Sequence, residues 1–303
     1  MKFWPGSGLY LRKRKMKILL TGSEGQLGTD FRLVCGEKHD VTAHDLDLDI
    51  RDRRAVADRV REVSPDLVVN AAAYTDVDGA ESDELEAFRV NTLGVQNLAL
   101  ACQSGDIPLL HVSTDFVFSG EGTLPLTEFD RPDPRGVYGR SKYAGECYVT
   151  ALLDRYYICR TSWLFGVAGG NFVKTMLRLG REKDSVEVVC DQEGCPTYSR
   201  DLAAKLIEII DAGAYGLYHV SNSGAATWFQ FAREIFEIAE MDVEVSPITT
   251  DEFGSPAPRP AYSVMRGLAL ELQGISPMRH YREALADFIL RDLPAAEGGV
   301  GTS

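Results

Sequence analysis

The stretch Lys17–Gly28, KILLTGSEGQLG, decides the fold. KILLT followed by Gly22 reads as a short strand buried on both faces. Gly22, Gly25 and Gly28 then fall at G-x-x-G-x-x-G spacing, and a helical pattern starts inside them. The first glycine lets the chain turn sharply. The second leaves room for a pyrophosphate to approach the backbone, and the third lets the helix pack close to the strand. Free N–H groups and the positive end of the helix dipole then face the phosphates. Gln26 and Leu27, which open the helix, belong to the same cofactor-binding loop. A glycine triplet alone is a weak signal. The strand before it and the helix after it make it a dinucleotide-binding signal.

A second strand, Val41–His44, ends at Asp45, 23 residues after Gly22. That is near the spacing of about 20 at which an acid takes the ribose hydroxyls. Its carboxylate would repel a 2′-phosphate, so NADH is expected over NADPH. A solvated turn aspartate is the plain alternative, and Asp47 and Asp49 are rivals for the role. Onward, a helix at Arg53–Val63 leads to the apolar strand Leu67–Asn70. A helix over about Asp83–Cys102 precedes the strand Leu109–Ser113, and a helix over Val137–Leu153 precedes the strand Tyr157–Arg160. Strands alternating with helices, apolar on both faces, indicate βαβ units. The expected fold class is α/β, a Rossmann-type doubly wound parallel sheet. After Trp163 the alternation loosens. Helices at Phe172–Arg181, Asp201–Ile210 and Phe229–Ala239 mix with strands at Val186–Val189 and Leu217–Val220, and Pro and Gly cluster at Phe253–Pro260. The expected division is a dinucleotide-binding domain at 16–163 and a smaller C-terminal substrate-binding lobe at 164–294, with segments returning to the first domain.

Tyr138 and Lys142 stand in YGRSK, a Y-x-x-x-K pair that shares one helix face. An ammonium beside a phenol favours phenolate and is expected to lower its pKa from about 10. A phenol so tuned is a general acid for a carbonyl oxygen, and the same ammonium can hold the nicotinamide ribose. Thr114 closes its strand, at the sheet end where ligands bind, and its hydroxyl can donate to the carbonyl being reduced. Asp115 either orients the substrate, tunes the tyrosine or caps the following turn.

The formal net charge of −13 disfavours nucleic acid and anionic lipid as partners. No apolar run approaches the roughly 20 residues of a membrane helix. The six cysteines form no CxxC pair, and the five histidines no paired cluster. Scattered cysteines without a secretory signal suggest reduced thiols and a cytoplasmic location. Residues 1–15, MKFWPGSGLYLRKRK, read as a loose arm or as chain preceding a functional start at Met16, and residues 295–303 read as a flexible tail.

With these motifs in place, the chain resembles an extended short-chain dehydrogenase and, more narrowly, the dTDP-4-dehydrorhamnose reductases. The resemblance is carried by KILLTGSEGQLG, VVNAAAYTDVDGAE, NTLGVQNLA, HVSTDFVFSG, VYGRSKYAGE, RTSWLFG, NFVKTMLRL and DQEGCPT, with a sparse match at RPAYS, and covers nearly all of residues 16–290. It implies hydride transfer from NADH or NADPH to C4 of a dTDP-4-keto sugar, with the tyrosine protonating O4. It implies catalytic roles for Thr114, Tyr138 and Lys142, with Asp115 beside them. Ala71, Ala72 and Ala73 would lie against the cofactor, and Tyr74 and Thr75 would continue that wall. Asp49 and Ile50 would lie at the adenine edge. Trp163 falls where the family lines its sugar pocket, or is an ordinary core tryptophan. Asn171 aligns with a substrate-lobe position, or is only an N-cap. Arg259 would pair with the nucleotide diphosphate, or is a solvated arginine. Some family members hold Mg²⁺ at a dimer contact; no metal motif is legible in the acidic residues here, so no metal site is assigned, and a homodimer stays open. Two rival functions remain: reduction or epimerisation of another nucleotide sugar, and a non-catalytic regulatory subunit like the β subunit of methionine adenosyltransferase.

Removing residues 1–15 is expected to leave folding and turnover intact. Loss of the cooperative thermal transition in the truncated protein would contradict this.

Overall fold

The computed structural model describes residues 15–298. The chain enters the sheet at β1 (Lys17–Thr21) and turns at Gly22 into α1 (Gln26–Gly36). There follow β2 (Asp40–His44), α2 (Arg53–Val63), β3 (Leu67–Asn70), α3 (Val77–Ser82) and α4 (Glu84–Phe88). A π-helical turn, Arg89–Gly94, runs into α5 (Val95–Gly105), and then come β4 (Leu109–Thr114), a 3₁₀ turn at Asp115–Val117, α6 (Val137–Leu152) and β5 (Tyr156–Thr161). Beyond these lie β6 (Leu164–Phe165), α7 (Phe172–Glu182), β7 (Ser185–Val189), β8 (Glu193–Gly194), β9 (Thr197–Tyr198), α8 (Ser199–Ala212) and β10 (Gly216–His219). The last are β11 (Ala226–Thr227), α9 (Trp228–Ile238), β12 (Glu244–Ile248), α10 (Thr250–Phe253), α11 (Leu268–Leu272), α12 (Tyr281–Asp287), a π-helical turn at Phe288–Asp292 and α13 (Leu293–Gly298).

The main sheet has six parallel strands in the order β10-β5-β4-β3-β1-β2. From β1 the chain goes out to β2 on one side and back to β3 on the other. That reversal opens a crevice at the carboxyl ends of β1 and β3, the place where doubly wound sheets bind ligands. Alternate side chains of β1 enter different cores. Ile18 and Leu20 pack with Phe31 of α1 and Leu206 of α8, while Leu19 packs with Val56 of α2 and Leu98 of α5. A third core, including Val173, Phe231, Phe236, Leu285 and Phe288, lies in the C-terminal half. There α7 and α9 pack on the two-stranded pair β7–β12 and α12 lies against α9 and β9, whereas α8 and β10 return to the main sheet.

Two glycines make the crevice. Gly22 has φ +71°, and a Cβ there would fall 2.4 Å from the Ala72 nitrogen. A Cβ on Gly28 would fall 1.9 Å from the Gly22 carbonyl oxygen. The turn, the first turn of α1 and the end of β3 therefore meet backbone to backbone.

The expected single helix over Asp83–Cys102 is instead α4 and α5 joined by a π-helical turn, with Asp83 as the N-cap accepting from Glu86 N. Neither α3 nor β12 was legible as an element; β12 (EVSPI) carries a proline and is only half-buried. Residues 295–298, expected in a loose tail, complete α13, while residues 1–14 and 299–303 lie outside the described residues.

Gly28→Ala is expected to destabilise the protein by about 1–3 kcal/mol, because backbone must move to admit the methyl. Gly36→Ala, with nothing within 4 Å of its Cβ, is the control and should be neutral or slightly stabilising. Denaturant unfolding of both variants checks this; equal stabilities would contradict it.

Candidate active site

The glycine loop fits a dinucleotide. Gly25 is the N-cap of α1; no side chain caps that end, and no acidic residue sits in the first turn. Ser23 N, Glu24 N and Gly25 N are bonded to His44 O, Asp45 Oδ1 and Gly22 O, so the donors left to a phosphate are those of the first turn of α1. Leu27 is buried in the core, so only its backbone faces the loop. Gln26 is shared: its Oε1 accepts from Asn171 Nδ2 at 2.9 Å. Asp45 closes on the loop, its Oδ1 accepting from Glu24 N at 3.2 Å. Its two rivals are occupied. Asp47 is held by His44 Nδ1 and by the Asp45 nitrogen, and Asp49 is gripped by the Arg51 guanidinium, which lowers its pKa. Ile50 is buried against α5, and its carbonyl accepts from Asn97 Nδ2.

Asn70, fully buried, sets the opposite wall. Its Oδ1 accepts from Thr21 Oγ1 (2.7 Å) and from Ala72 N (3.1 Å), and its Nδ2 meets His111 Nδ1 (3.0 Å). One side chain thus ties the ends of β1 and β3 to the middle of β4. Ala71, Ala72 and Ala73 follow, half-buried, with Thr75 exposed beyond Tyr74. Asn91, in the π-helical turn, takes both backbone groups of Tyr74 and also donates to Ser141 Oγ on α6. A π-turn at such a junction is common at functional sites. Asn91 was not singled out from sequence, and nothing local marks it, because its partners lie 17 and 50 residues away.

Tyr138, Tyr74 and Phe88 pack on the small cluster of Ala80, Ala87 and Val137, and the edge of Phe116 meets the Tyr138 ring at 5.5 Å. Burial pushes the Tyr138 phenol up to about 12; a hydrogen bond with Thr114 opposes this, and the charge of Asp115 reinforces it. This corrects the expectation that Lys142 lowers the phenol. Lys142 Nζ donates to the Val112 carbonyl at 2.7 Å, and burial brings its own pKa down to about 8. Thr114 Oγ1 donates to Asp115 Oδ1 at 3.0 Å and accepts from Phe116 N. Asp115 is 2% exposed, and burial raises its pKa to about 6 against hydrogen bonds from Ser263 and Thr114. Ser263, in the RPAYS stretch, was not singled out from sequence.

Just past β5, Trp163 has φ +46°, strained for a bulky residue. Its indole stacks on that of Trp228, centroids 3.4 Å apart and planes 2° from parallel, with Gly194 against its edge. Trp228, unforeseen from sequence, donates its Nε1–H to Gln192 Oε1. Asn171 is the N-cap of α7 and also binds Gln26 and the Gly166 carbonyl, so it buttresses the cofactor loop. Arg259 departs from expectation: Asp78 of α3 (2.7 Å) and Ser255 hold its guanidinium, so its fork is already committed within the chain. Among the described residues no group of three or more His, Cys, Asp or Glu is arranged to hold a metal, and no helix is long and apolar enough to cross a membrane.

A parallel doubly wound sheet, a glycine cradle at its switch point and a Thr-Tyr-Lys set on the adjacent strand and helix define a nicotinamide-dependent oxidoreductase of the short-chain dehydrogenase class. The chain belongs, more closely, to the family described as RmlD substrate binding domain, whose model matches residues 16–293. It is 41% identical to the dTDP-4-dehydrorhamnose reductase of Mycobacterium tuberculosis (strain ATCC 25618 / H37Rv) over 90% of this chain and 92% of that one. It is also 41% identical to the spore coat polysaccharide biosynthesis protein SpsK of Bacillus subtilis, over 90% of this chain and 96% of that one. The crystal structure of a Bacillus anthracis dTDP-4-dehydrorhamnose reductase in complex with NADP superposes with a TM-score of 0.90 at 42% identity, covering 91% of this chain and 99% of that one.

Asp115 yields a stability prediction. The folded chain keeps its carboxyl protonated up to about 6, whereas the unfolded chain loses that proton near 3.8. The folded state binds the extra proton between those values, so stability falls as pH rises through that window, by up to about 3 kcal/mol. Asp115→Asn should be more stable than the parent at neutral pH, with the difference shrinking toward pH 4. Chemical denaturation at the two pH values checks it; a variant less stable at neutral pH contradicts it.

Proposed function

We propose that this chain reduces the 4-keto group of dTDP-4-dehydro-β-L-rhamnose to give dTDP-β-L-rhamnose, with NADH preferred to NADPH. The observation that carries the reading is a half-buried Tyr138 phenol, kept neutral and hydrogen-bonded to Thr114 at the end of β4, in a sheet whose glycine cradle closes β1 two strands away. The reduced nicotinamide, when bound, supplies the hydride. Tyr138 donates its proton to O4 of the sugar. A proton donor must begin protonated, so a phenol held near 12 is better suited to reduction than a phenolate. Lys142 carries its charge at neutral pH and holds the ribose through Nζ. Thr114 and Asp115 fix the hydrogen-bonding side of the sugar. Ala71, Ala72, Ala73 and Tyr74 form the small-residue wall, and Trp163, stacked on Trp228, gives the sugar an apolar face. Asp45 takes the adenine ribose hydroxyls. Arg259 and Asn171 have partners within the chain and receive no substrate role.

The test is an assay with this sugar nucleotide, NADH and NADPH supplied separately. Turnover should be faster with NADH. Tyr138→Phe should lose about 10²–10⁴-fold in turnover while still binding cofactor, and full activity would overturn the mechanism. Asp45→Asn should narrow the preference for NADH; an unchanged ratio removes Asp45 from cofactor selection. Turnover only with a different 4-keto nucleotide sugar would keep the chemistry and replace the substrate.

A further inference from the structure

Behind Lys142 lies a buried charge pair that the mechanism above leaves unused. Glu146 is one helical turn along α6 from Lys142, and residues four apart share a face. Arg160 of β5 grips it through two bonds, Nε to Oε1 at 2.9 Å and Nη2 to Oε2 at 2.6 Å. Both side chains are within 4% of full burial. Replacing a buried ion pair with apolar groups is often neutral or stabilising, so such a pair is weak evidence of a purely structural purpose. Its position suggests another. Arg160 stands in register with Ser113 of β4, and its guanidinium lies 5.1 Å from the Phe118 ring centroid.

We propose that Glu146 is a positioning residue of the reductase site: clamped by Arg160, its carboxylate faces Lys142 along α6 and keeps that ammonium charged and set to hold the dinucleotide ribose. The inference rests on the reading of Lys142 as the ribose-holding group. Burial works against the ammonium, and the charge of Glu146 opposes that effect. The other titratable groups around the pair supply no competing charge. His111 on β4 is kept neutral by burial and by Lys142 itself, and Tyr138 is kept neutral by burial. Tyr143, also on α6, is raised partly by Glu146. His219 on β10, 3.5 Å from Arg160 Nη1, is held down to about 3 by burial and by Arg160. Glu128 is turned to the backbone nitrogens of His219 and Ala269. That leaves Glu146 as the carboxylate acting on Lys142. Arg160 fixes which way the Glu146 carboxylate points.

NADH affinity, read from cofactor fluorescence between neutral and alkaline pH, tests this without any sugar. The parent protein should lose affinity on the alkaline side as Lys142 gives up its proton. In Glu146→Gln that loss should move to lower pH by about one unit, the low end of what an opposite charge at close range confers. Glu146→Asp should move it back. Uniform weakening at every pH, or an unmoved alkaline limb, would overturn the proposal, as would a parent protein with no alkaline loss. A parent that binds neither NADH nor NADPH would instead overturn the cofactor reading beneath it. If Glu146→Gln fails to fold because Arg160 is left unpaired, Glu146→Gln combined with Arg160→Gln removes both charges, and the shift should keep its direction. Failure of both to fold would assign the pair to stability alone and contradict the proposal.

Discussion

The site depends on one steric fact: the turn after β1 lies against the end of β3 with no side chain between them. A Cβ at Gly22 would fall within 2.6 Å of backbone atoms of both Ala71 and Ala72. That approach sets the width of the crevice at the strand-order reversal. Asn70 then locks it by joining Thr21, Ala72 and His111 through one amide. Neither feature touches the reacting atoms. Both decide where a dinucleotide can lie, and therefore which atoms Tyr138 and Lys142 can reach.

Burial sets the chemistry as strongly as position does. The same desolvation raises Tyr138, raises Asp115 and lowers Lys142, because each is moved toward its uncharged form. The phenol keeps its proton. The lysine keeps its charge only narrowly, so groups behind it gain influence over its state. The chain Tyr138–Thr114–Asp115–Ser263 couples the phenol to a segment of the C-terminal half.

Much of the fold was legible in the sequence. KILLT, LVVN and LLHVS are apolar on both faces and punctuated by Gly, Pro or Asp, and all three are strands of the parallel sheet. The π-helical turn was not legible, because its apolar spacing continues that of the neighbouring helices and only the hydrogen-bond ladder changes. β12 was hidden because pairing with β7, rather than its own pattern, makes it a strand. In the candidate site, Asp45 and the Tyr138–Lys142 pair could be singled out by spacing, since spacing is local. The aim of Lys142 at the Val112 carbonyl, the capture of Arg259 by Asp78 and the stacking of Trp228 on Trp163 are long-range contacts, and no local pattern encodes them.

Reduction requires a cofactor and a sugar to share one crevice within reach of Tyr138. Its most direct measurement uses reduced dinucleotide deuterated at C4 of the nicotinamide, followed by mass and NMR analysis of the sugar product. Deuterium carried to C4 of the sugar, with O4 taking its hydrogen from solvent-exchangeable sites, is the expected result. Tight dinucleotide binding without any deuterium reaching the 4-keto sugar nucleotide would contradict it.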